Sequence, residues 1–287
     1  MLSKKNNSIE MPFAESNYAN IDSLSIHFRL WEPKNFSHKI VFVHGMGGST
    51  FSWRKIYPYF SDSAKIVSID LPGFGYSGRE RNINHSTSNR AKWIWQILDS
   101  IDSSANDTLP WTLVGHSMGG SVIAAMGAQK PEKTRNFVYV DGCLFQDTIP
   151  VKSRNYSKFS ENTISCLLKT FLINKIGVRI LLRSAYASKP NRKDIIGYLK
   201  PFKIKHTTNL LFDMARAKES YIDISKIKNI PSTFIWGDCD KWIDIKYGKK
   251  AFSKTPNSEM YIIEGAGHCP METHPDLISN YIKKTLK

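Results

Sequence analysis

The sequence predicts an α/β protein with a mostly parallel sheet, helices on both faces of the sheet, and a helical insertion. Short runs rich in β-branched and aromatic residues alternate with longer amphipathic runs. Runs such as IVFVHG and TLVGHS are almost continuously apolar, as strands covered on both faces must be. The alternation stops after Asp141 and resumes at Pro231, which indicates an insertion between two strands.

The individual elements follow from the same alternation. The predicted strands are Ser25–Trp31, Lys39–Val43, Lys65–Ile69, Trp111–Gly115, Asn136–Val140, Thr233–Trp236 and Met260–Ile263. The predicted helices are Thr50–Phe60, Ser86–Ile101, Gly119–Gln129, Lys246–Phe252 and Pro275–Lys284.

The chain of 287 residues is long enough for one α/β domain with an insertion, so no second domain is needed. The predicted core comprises residues 20–143 and 231–287. Residues 144–230 contain basic helical segments separated by three prolines and predict a helical cap over the sheet.

The net charge of +15 is concentrated in the predicted cap. Residues 151–220 carry 15 Lys and Arg against four Asp and Glu. One interpretation is a solvated basic face; the other is steering of an anionic substrate or peripheral contact with an anionic membrane through the cap. No nucleic-acid-binding motif accompanies the charge, so we expect no nucleic-acid partner.

The cysteines and the N-terminus favour a cytoplasmic protein. Four scattered cysteines form neither a disulfide framework nor a zinc motif. Cys239 and Cys269 flank two residues that must meet in space, so we expect two inert thiols there, with a disulfide as the alternative. No signal peptide is apparent, and lysine and arginine interrupt the most apolar stretch, residues 164–182.

Ser117 is the predicted nucleophile. It lies at the centre of Gly115–Gly119, GHSMG, between a predicted strand and a predicted helix. A serine on such a turn adopts strained backbone angles that lift its hydroxyl above the sheet, and the flanking glycines let strand and helix approach closely.

His268 is the predicted general base. Serine is a weak nucleophile at neutral pH and needs a base within hydrogen-bonding distance. His268 follows directly after the strand Met260–Ile263, on a loop that contains two glycines. His274 is the local rival, but Pro275 at the start of the last helix favours a capping or solvated role for it.

Asp240 is the predicted acid that orients the histidine. It follows the strand Thr233–Trp236, in the chain order Ser, Asp, His. Asp141, at the end of the preceding strand, is a genuine alternative. Asp238 and Asp244 lie close to Asp240 in the sequence and could be mistaken for it.

The backbone amides of Met46 and Met118 are the predicted oxyanion hole. The Met118 amide directly follows the nucleophile, and Met46 lies on a glycine-rich loop after the strand Lys39–Val43. Gly45, Met46 and Trp242 are the predicted substrate-binding residues.

Five segments in order carry a resemblance to a known family: HGMGG at 44–48, DLPGFGYS at 70–77, GHSMGG at 115–120, WGDCD at 236–240 and GAGH at 265–268. Together they resemble the α/β-hydrolase superfamily, and most nearly its cap-bearing bacterial branch of esterases, lipases and C–C hydrolases. The resemblance covers roughly residues 20–142 and 228–286. It implies an eight-stranded, mostly parallel α/β-hydrolase sheet and a serine hydrolase that needs no metal or organic cofactor.

The chain departs from this pattern at two points. Relatives often have proline four residues after the acid, where this chain has Asp244, so a second carboxylate is expected near the site. The loop after residue 44 lacks the HGGGP run of ring-fission C–C hydrolases. Serine at the elbow argues against dehalogenase and epoxide hydrolase activity.

The resemblance favours a carboxylesterase or lipase that acts on a small ester substrate through an acyl-enzyme. Three alternatives remain open. The first is C–C bond hydrolysis with the same triad, and the second is a cofactor-free perhydrolase or acyltransferase. The third belongs to another class, a slow-turnover signalling protein that binds its ligand within the hydrolase fold.

An apolar stripe at helical spacing characterises the cap, with members Ile164, Leu167, Leu168, Phe171, Leu172, Ile176, Ile180 and Leu181. We expect this face to be buried on the active-site cleft; the alternative is a lid that opens towards lipid. Gly177 is expected to interrupt the helix or to act as a hinge.

Overall fold

The computed structural model describes residues 11–80, 83–142, 174–207, 217 and 222–287, together with the short strand Leu2–Ser3. In chain order the strands are β1 (Leu2–Ser3), β2 (Ser16–Ile21), β3 (Leu24–Trp31), β4 (His38–Val43), β5 (Ala64–Ile69), β6 (Trp111–His116), β7 (Thr134–Val140), β8 (Ser232–Gly237) and β9 (Ser258–Ile263). All seven strands predicted from the sequence are present, and their ends differ from the prediction by at most two residues.

The strands form one sheet in the order β1-β2-β3-β5-β4-β6-β7-β8-β9. From β5 to β9 all neighbours are parallel, whereas β2 and β3 are antiparallel additions at one edge. Eight strands of six to eight residues therefore make a mostly parallel sheet, with the two-residue β1 beside β2. The predicted fold class is confirmed.

The strand β2 was not predicted from the sequence. Its residues, SNYANI, contain one β-branched side chain and no regular alternation. β2 pairs with β3 in antiparallel register along its whole length, from Ser16 opposite Arg29 to Ile21 opposite Leu24. This pairing stabilises a strand that local propensity does not favour.

Helices cover both faces of the sheet. The helices α1 (Thr87–Ala105) and α2 (Met118–Gln129) pack on one face, where they share a core with Val41, Val43 and Val67. Ile40 and Phe42 alternate with Val41 and Val43 along β4, so they point to the opposite face, where the C-terminal helix and the cap helices pack. This alternation explains why the central strands are apolar throughout.

The predicted helix Thr50–Phe60 was wrong as a single element. The structure has two short 3₁₀ helices there, Thr50–Trp53 and Tyr57–Tyr59. Pro58 has no amide hydrogen, so a continuous α-helix could not complete its hydrogen bonds at this point. The first 3₁₀ helix begins at a capping box formed by Ser49 and Ser52.

Two cap helices are described between β7 and β8, α3 (Lys175–Tyr186) and α4 (Arg192–Phe202). The first part of the predicted cap, residues 144–173, lies outside the described residues, and so do the stripe residues from Ile164 to Leu172. The cap boundaries therefore stay a prediction. Arg54 ties α4 to the core, because its guanidinium bonds both Asp194 and Glu272.

Two expectations about α3 were wrong in part, although Leu181 of the stripe does line the pocket over Ser117. Gly177 is a buried residue within the first turn and does not interrupt the helix. Ile176 and Ile180 are 64% and 55% exposed, whereas the buried face consists of Val178, Leu182, Ala185 and Tyr186. The helix is apolar on more than one side, so its period alone could not show which side faces the core.

The remaining helices follow the last two strands. They are α5 (Ile245–Phe252), the short α6 (Pro270–Thr273) and α7 (Pro275–Leu286). In the part of the chain that the structure describes, no helix combines the length and the apolar character needed to cross a membrane.

Candidate active site

Ser117 occupies the turn between β6 and α2 with φ 53° and ψ −123°, a conformation that non-glycine residues rarely adopt. Its amide donates to the carbonyl of Val140 at 3.1 Å, which fixes the turn against β7. A Cβ on Gly119 would lie 2.4 Å from the Val43 carbonyl oxygen, so only glycine fits there. The surrounding packing thus holds the strained serine in place.

His268 bridges Ser117 and Asp240. Its Nε2 lies 3.0 Å from Ser117 Oγ, and its Nδ1 lies 2.8 Å from Asp240 Oδ2. A carboxylate can only accept, so Nδ1 carries the ring proton and Nε2 is free to accept from the serine hydroxyl. The structure therefore brings the three predicted residues together in the order that general-base activation of serine requires.

His116 supports the loop that carries His268. Its Nε2–H donates to the carbonyl of His268 at 2.6 Å. Burial, together with the nearby His268, lowers the pKa of His116 to about 3, so this ring is neutral near pH 7. A neutral His116 holds the loop in place without adding a positive charge beside the imidazole of His268.

Asp240 is held as a carboxylate. The amides of Trp242 and Ile243 donate to its Oδ1 at 2.8 and 3.0 Å. Burial by itself raises the pKa of this carboxyl, but the hydrogen bond and charge of His268, with the two amides, outweigh burial and leave the pKa below its ordinary value. The side chain is therefore ionised and can stabilise a protonated imidazole.

Asp141 lies beside Asp240 and His268. It is fully buried at the end of β7, and its Oδ1 accepts the amide of Gly237 at 3.0 Å. Burial, followed by the charge of Asp240, raises the pKa of Asp141 well above its ordinary value. Two adjacent buried carboxyls avoid a double charge when one keeps its proton, and the raised pKa assigns that proton to Asp141.

This protonation has a measurable consequence for stability. Above the ordinary pKa of 3.8, the folded chain keeps a proton on Asp141 that the unfolded chain loses. The free energy of unfolding therefore falls as pH rises towards the raised pKa, by up to about 1.4 kcal/mol per pH unit. Asparagine has the same shape and does not titrate.

We therefore expect Asp141→Asn to gain stability over the native protein as pH increases. Thermal unfolding of both proteins at about pH 4 and about pH 8 should show a Tm difference that widens in favour of the variant at the higher pH. Ser104→Ala, an exposed substitution whose hydroxyl bonds the backbone carbonyl of Ser100, controls for unrelated buffer effects. A Tm difference between the two proteins that stays constant with pH would contradict a neutral Asp141.

The neighbouring residues have structural roles. Asp238 Oδ1 accepts the amide of Gly265 at 2.8 Å and thereby joins the two loops that carry Asp240 and His268. Asp244 caps α5 by accepting the amide of Lys246 at 2.9 Å. A second carboxyl that lies beside Asp240 and His268 is that of Asp141, whereas Asp244 pairs with Lys246.

His274 contacts Thr273 and lies between α6 and α7. Cys239 and Cys269 are free thiols, the first exposed and the second buried. The disulfide alternative was wrong. The expectation of two thiols is confirmed for this pair.

The Gly45–Met46 loop lies directly against the nucleophile. A Cβ on Gly45 would be 2.7 Å from Ser117 Cβ. His44 holds this loop, because its Nδ1–H donates to the Gly45 carbonyl at 2.7 Å and its Nε2 accepts the amide of Leu71 at 3.0 Å. Burial lowers the pKa of His44 to about 4, so one neutral tautomer satisfies both bonds.

The segment DLPGFGYS at 70–77 is organised by the buried carboxylate of Asp70. This carboxylate contacts His27 Nδ1 at 2.7 Å and accepts the amides of Thr50 and Tyr76 at 2.6 and 2.7 Å. Gly75 has φ 53°, and a Cβ there would collide with the Asp70 carboxylate. The segment is therefore a structural support for the loops around the site.

A pocket of about 500 Å³ opens over Ser117 and His268. Gly45, Met46 and Trp242, the predicted substrate-binding residues, all line it, as does Met118. The cap contributes apolar side chains to the same walls: Leu181, Leu182, Ala185, Tyr198 and Phe202. The pocket is mostly apolar.

Trp242 connects this pocket to the cap. Its ring stacks on His268 with 5.2 Å between centroids, and its Nε1–H donates to Ser184 Oγ of α3 at 3.0 Å. The position of Trp242 beside the substrate pocket was predicted from the sequence, whereas its link to Ser184 was not. No local pattern marks that serine, since the contact joins residues 58 positions apart.

Asp141, Asp240 and His268 also form a group of potential metal ligands, with donor atoms within 4.8 Å of one another. Both ring nitrogens of His268 are already engaged, one with Asp240 and one with Ser117. A metal ion would have to displace one of these bonds. The donor set therefore fits the hydrogen-bonded chain better than it fits an ion.

The parallel sheet, the serine on a strained strand-to-helix turn, and the later Asp and His loops together define the α/β-hydrolase class. The sequence profile of the alpha/beta hydrolase family matches residues 40–280. The chain belongs to this family, and it is a hydrolase.

Relatives from three bacteria agree with this assignment. The chain is 28% identical over 279 residues to the uncharacterised hydrolase YugF of Bacillus subtilis, covering 93% of this chain and 96% of that protein. It is 23% identical over 252 residues to a Haemophilus influenzae protein provisionally described as an esterase/lipase, with 86% and 82% covered. A Pseudomonas aeruginosa structure, provisionally described as a hydrolytic enzyme, superposes with a TM-score of 0.78 at 16% identity and covers 96% of each chain.

Proposed function

We propose that this protein is a serine hydrolase that cleaves carboxylic esters through an acyl-enzyme on Ser117. The observation that carries the proposal is the chain of hydrogen bonds from Ser117 through His268 to Asp240, at 3.0 and 2.8 Å, in the floor of an apolar pocket. An acyl chain fits such a pocket, and the ester carbonyl is then next to the serine.

The reaction follows from these positions. Ser117 Oγ attacks the ester carbonyl carbon while its proton passes to His268 Nε2, and Asp240 stabilises the imidazolium that results. The amides of Met46 and Met118 are proposed to donate to the oxyanion. The intermediate collapses, the C–O bond to the leaving group breaks, and His268 returns the proton to the departing alkoxide.

Water then completes the cycle. His268 takes a proton from water, the hydroxide attacks the acyl carbon, and collapse of the second intermediate returns Ser117 Oγ as the leaving group, with its proton restored by His268. The products are a carboxylic acid and an alcohol. Free water must reach the carbonyl of the acyl-enzyme, and the exposed rim of the pocket at Met46 and Trp242, which are 59% and 43% exposed, provides the access.

A series of nitrophenyl esters of increasing acyl length tests the proposal. Each methylene that enters the apolar pocket should increase kcat/KM by up to about fourfold, from about 0.8 kcal/mol of burial per CH₂, until the chain reaches solvent. Released nitrophenol measures the rate. Rates that do not change with acyl length would contradict acyl binding in this pocket.

Two further measurements separate the alternatives. A ring-fission diketone, assayed under the same conditions, should be cleaved much more slowly than the best ester; faster cleavage would indicate C–C hydrolysis. Multiple turnovers per active site should follow the initial burst of nitrophenol. A single turnover with tight product binding would instead favour a ligand-binding role.

A further inference from the structure

The outer face of α3 carries exposed apolar and cationic side chains side by side. Ile176 and Ile180 lie one helical turn apart and are 64% and 55% exposed. Lys175, Arg179 and Arg183 are exposed on the adjoining strip, also at four-residue spacing. An exposed pair of large β-branched residues in water is unfavourable, so this face suits a surface that offers both apolar and anionic groups.

The charge of the surrounding surface is strongly one-sided. Residues 174–207 contain nine Lys and Arg and one acid, Asp194. Asp194 is buried and bonded to Arg54 of the core, so it does not neutralise the outer face. The described part of the cap therefore presents a net positive field to solvent.

A hollow between α3 and α4 adds depth to this surface. It has a volume of about 510 Å³ and is lined by four cations, Lys175, Arg179, Lys189 and Arg192, with Ile195 and Ile196 beneath them. Such a mixture of cations around an apolar floor matches a phosphate group attached to a hydrocarbon chain.

We propose that the outer face of α3, together with this hollow, docks on an anionic lipid bilayer. The isoleucines enter the interfacial region while the cations contact lipid phosphates. Leu181 and Leu182, on the inner side of the same helix, line the pocket over Ser117, so the helix that docks also forms part of the pocket wall. Binding does not depend on the proposed ester hydrolysis.

Co-sedimentation of the full chain with vesicles tests this inference. Binding should be strong with phosphatidylcholine vesicles that contain about a quarter phosphatidylglycerol and weak with phosphatidylcholine alone. Because exposed charges are screened over about 3 Å at 1 M salt, high salt should release most of the protein. Equal binding to both vesicles would overturn the proposal.

Variants of α3 test whether its outer face forms the membrane-binding surface. Lys175→Gln with Arg179→Gln and Arg183→Gln should weaken binding by roughly fivefold per cation, on the order of 100-fold in total. Ile176→Ser with Ile180→Ser should weaken it by at least tenfold. Neither variant changes a residue that lines the pocket over Ser117, so hydrolysis of a soluble short ester shows that both are folded.

A matched control variant has the same net charge as the α3 variant that lacks three cations. Lys283→Gln with Lys284→Gln and Lys287→Gln removes three cations at the end of α7. The carbonyls of Thr285 and Leu286 bond Asn136 and Arg135, which places this end at the amino-terminal edge of β7, opposite the active site. Binding should be nearly unchanged. A loss as large as that of the α3 variant would overturn docking through α3.

Discussion

Replacing Ser117 by alanine should lower kcat on a nitrophenyl ester by roughly 10⁶-fold, the magnitude lost when the nucleophile of a serine-dependent triad is removed. The variant lacks the oxygen that attacks the carbonyl, while the strained turn at φ 53° is still imposed by the contacts of Gly115 and Gly119. The Tm should therefore stay within a few degrees of the native value.

An organophosphate probe gives the same test a covalent readout. The native protein should gain the mass of one phosphoryl group per chain, and Ser117→Ala should gain none. Ser121→Ala is the matched control, because Ser121 lines the same pocket but is not bonded to His268. Full ester turnover by Ser117→Ala would remove the proposed mechanism.

Asp240→Asn should lower kcat by roughly 10⁴-fold. Asparagine cannot stabilise the imidazolium by charge, and its amide favours the histidine tautomer that cannot accept the serine proton. Asp141→Asn is an isosteric change a few ångströms away that should leave kcat within a few-fold of native. Its amide group can donate to Asp240, and its oxygen still accepts from Gly237.

This pair of substitutions also decides between the two acids that the sequence left open. If Asp141→Asn caused the large loss and Asp240→Asn the small one, the orienting acid would be Asp141. The structure favours Asp240, because His268 Nδ1 lies 2.8 Å from Asp240 and two backbone amides hold that carboxylate in place.

Parallel strands made much of the site predictable. The carboxyl ends of such strands meet at one edge of the sheet, so residues that directly follow strands are neighbours even when they are far apart in the chain. Ser117 follows β6, Asp240 follows β8 and His268 follows β9, and each strand was apparent from its apolar run. Their catalytic roles stay predictions until the variants are measured.

The glycines around Ser117 also mark the turn in the sequence. A glycine at 115 and another at 119 are required because any Cβ there meets backbone atoms within 3 Å. Both glycines are visible in the sequence, two residues before and two residues after Ser117. The clash at Gly119 is with Val43 of β4 and with His44 directly after it, however, so the reason for that glycine lies in the tertiary structure.

Tertiary structure alone decided the charges and the orientation of the cap. Asp141 and Asp240 are both aspartates after strands, yet one is neutral and one ionised, because only Asp240 receives His268 and two loop amides. Likewise α3 has apolar residues on several sides, and packing against the core left Ile176 and Ile180 outside. A sequence specifies which side chains are present, but desolvation and the choice of packed face arise only when distant segments come together.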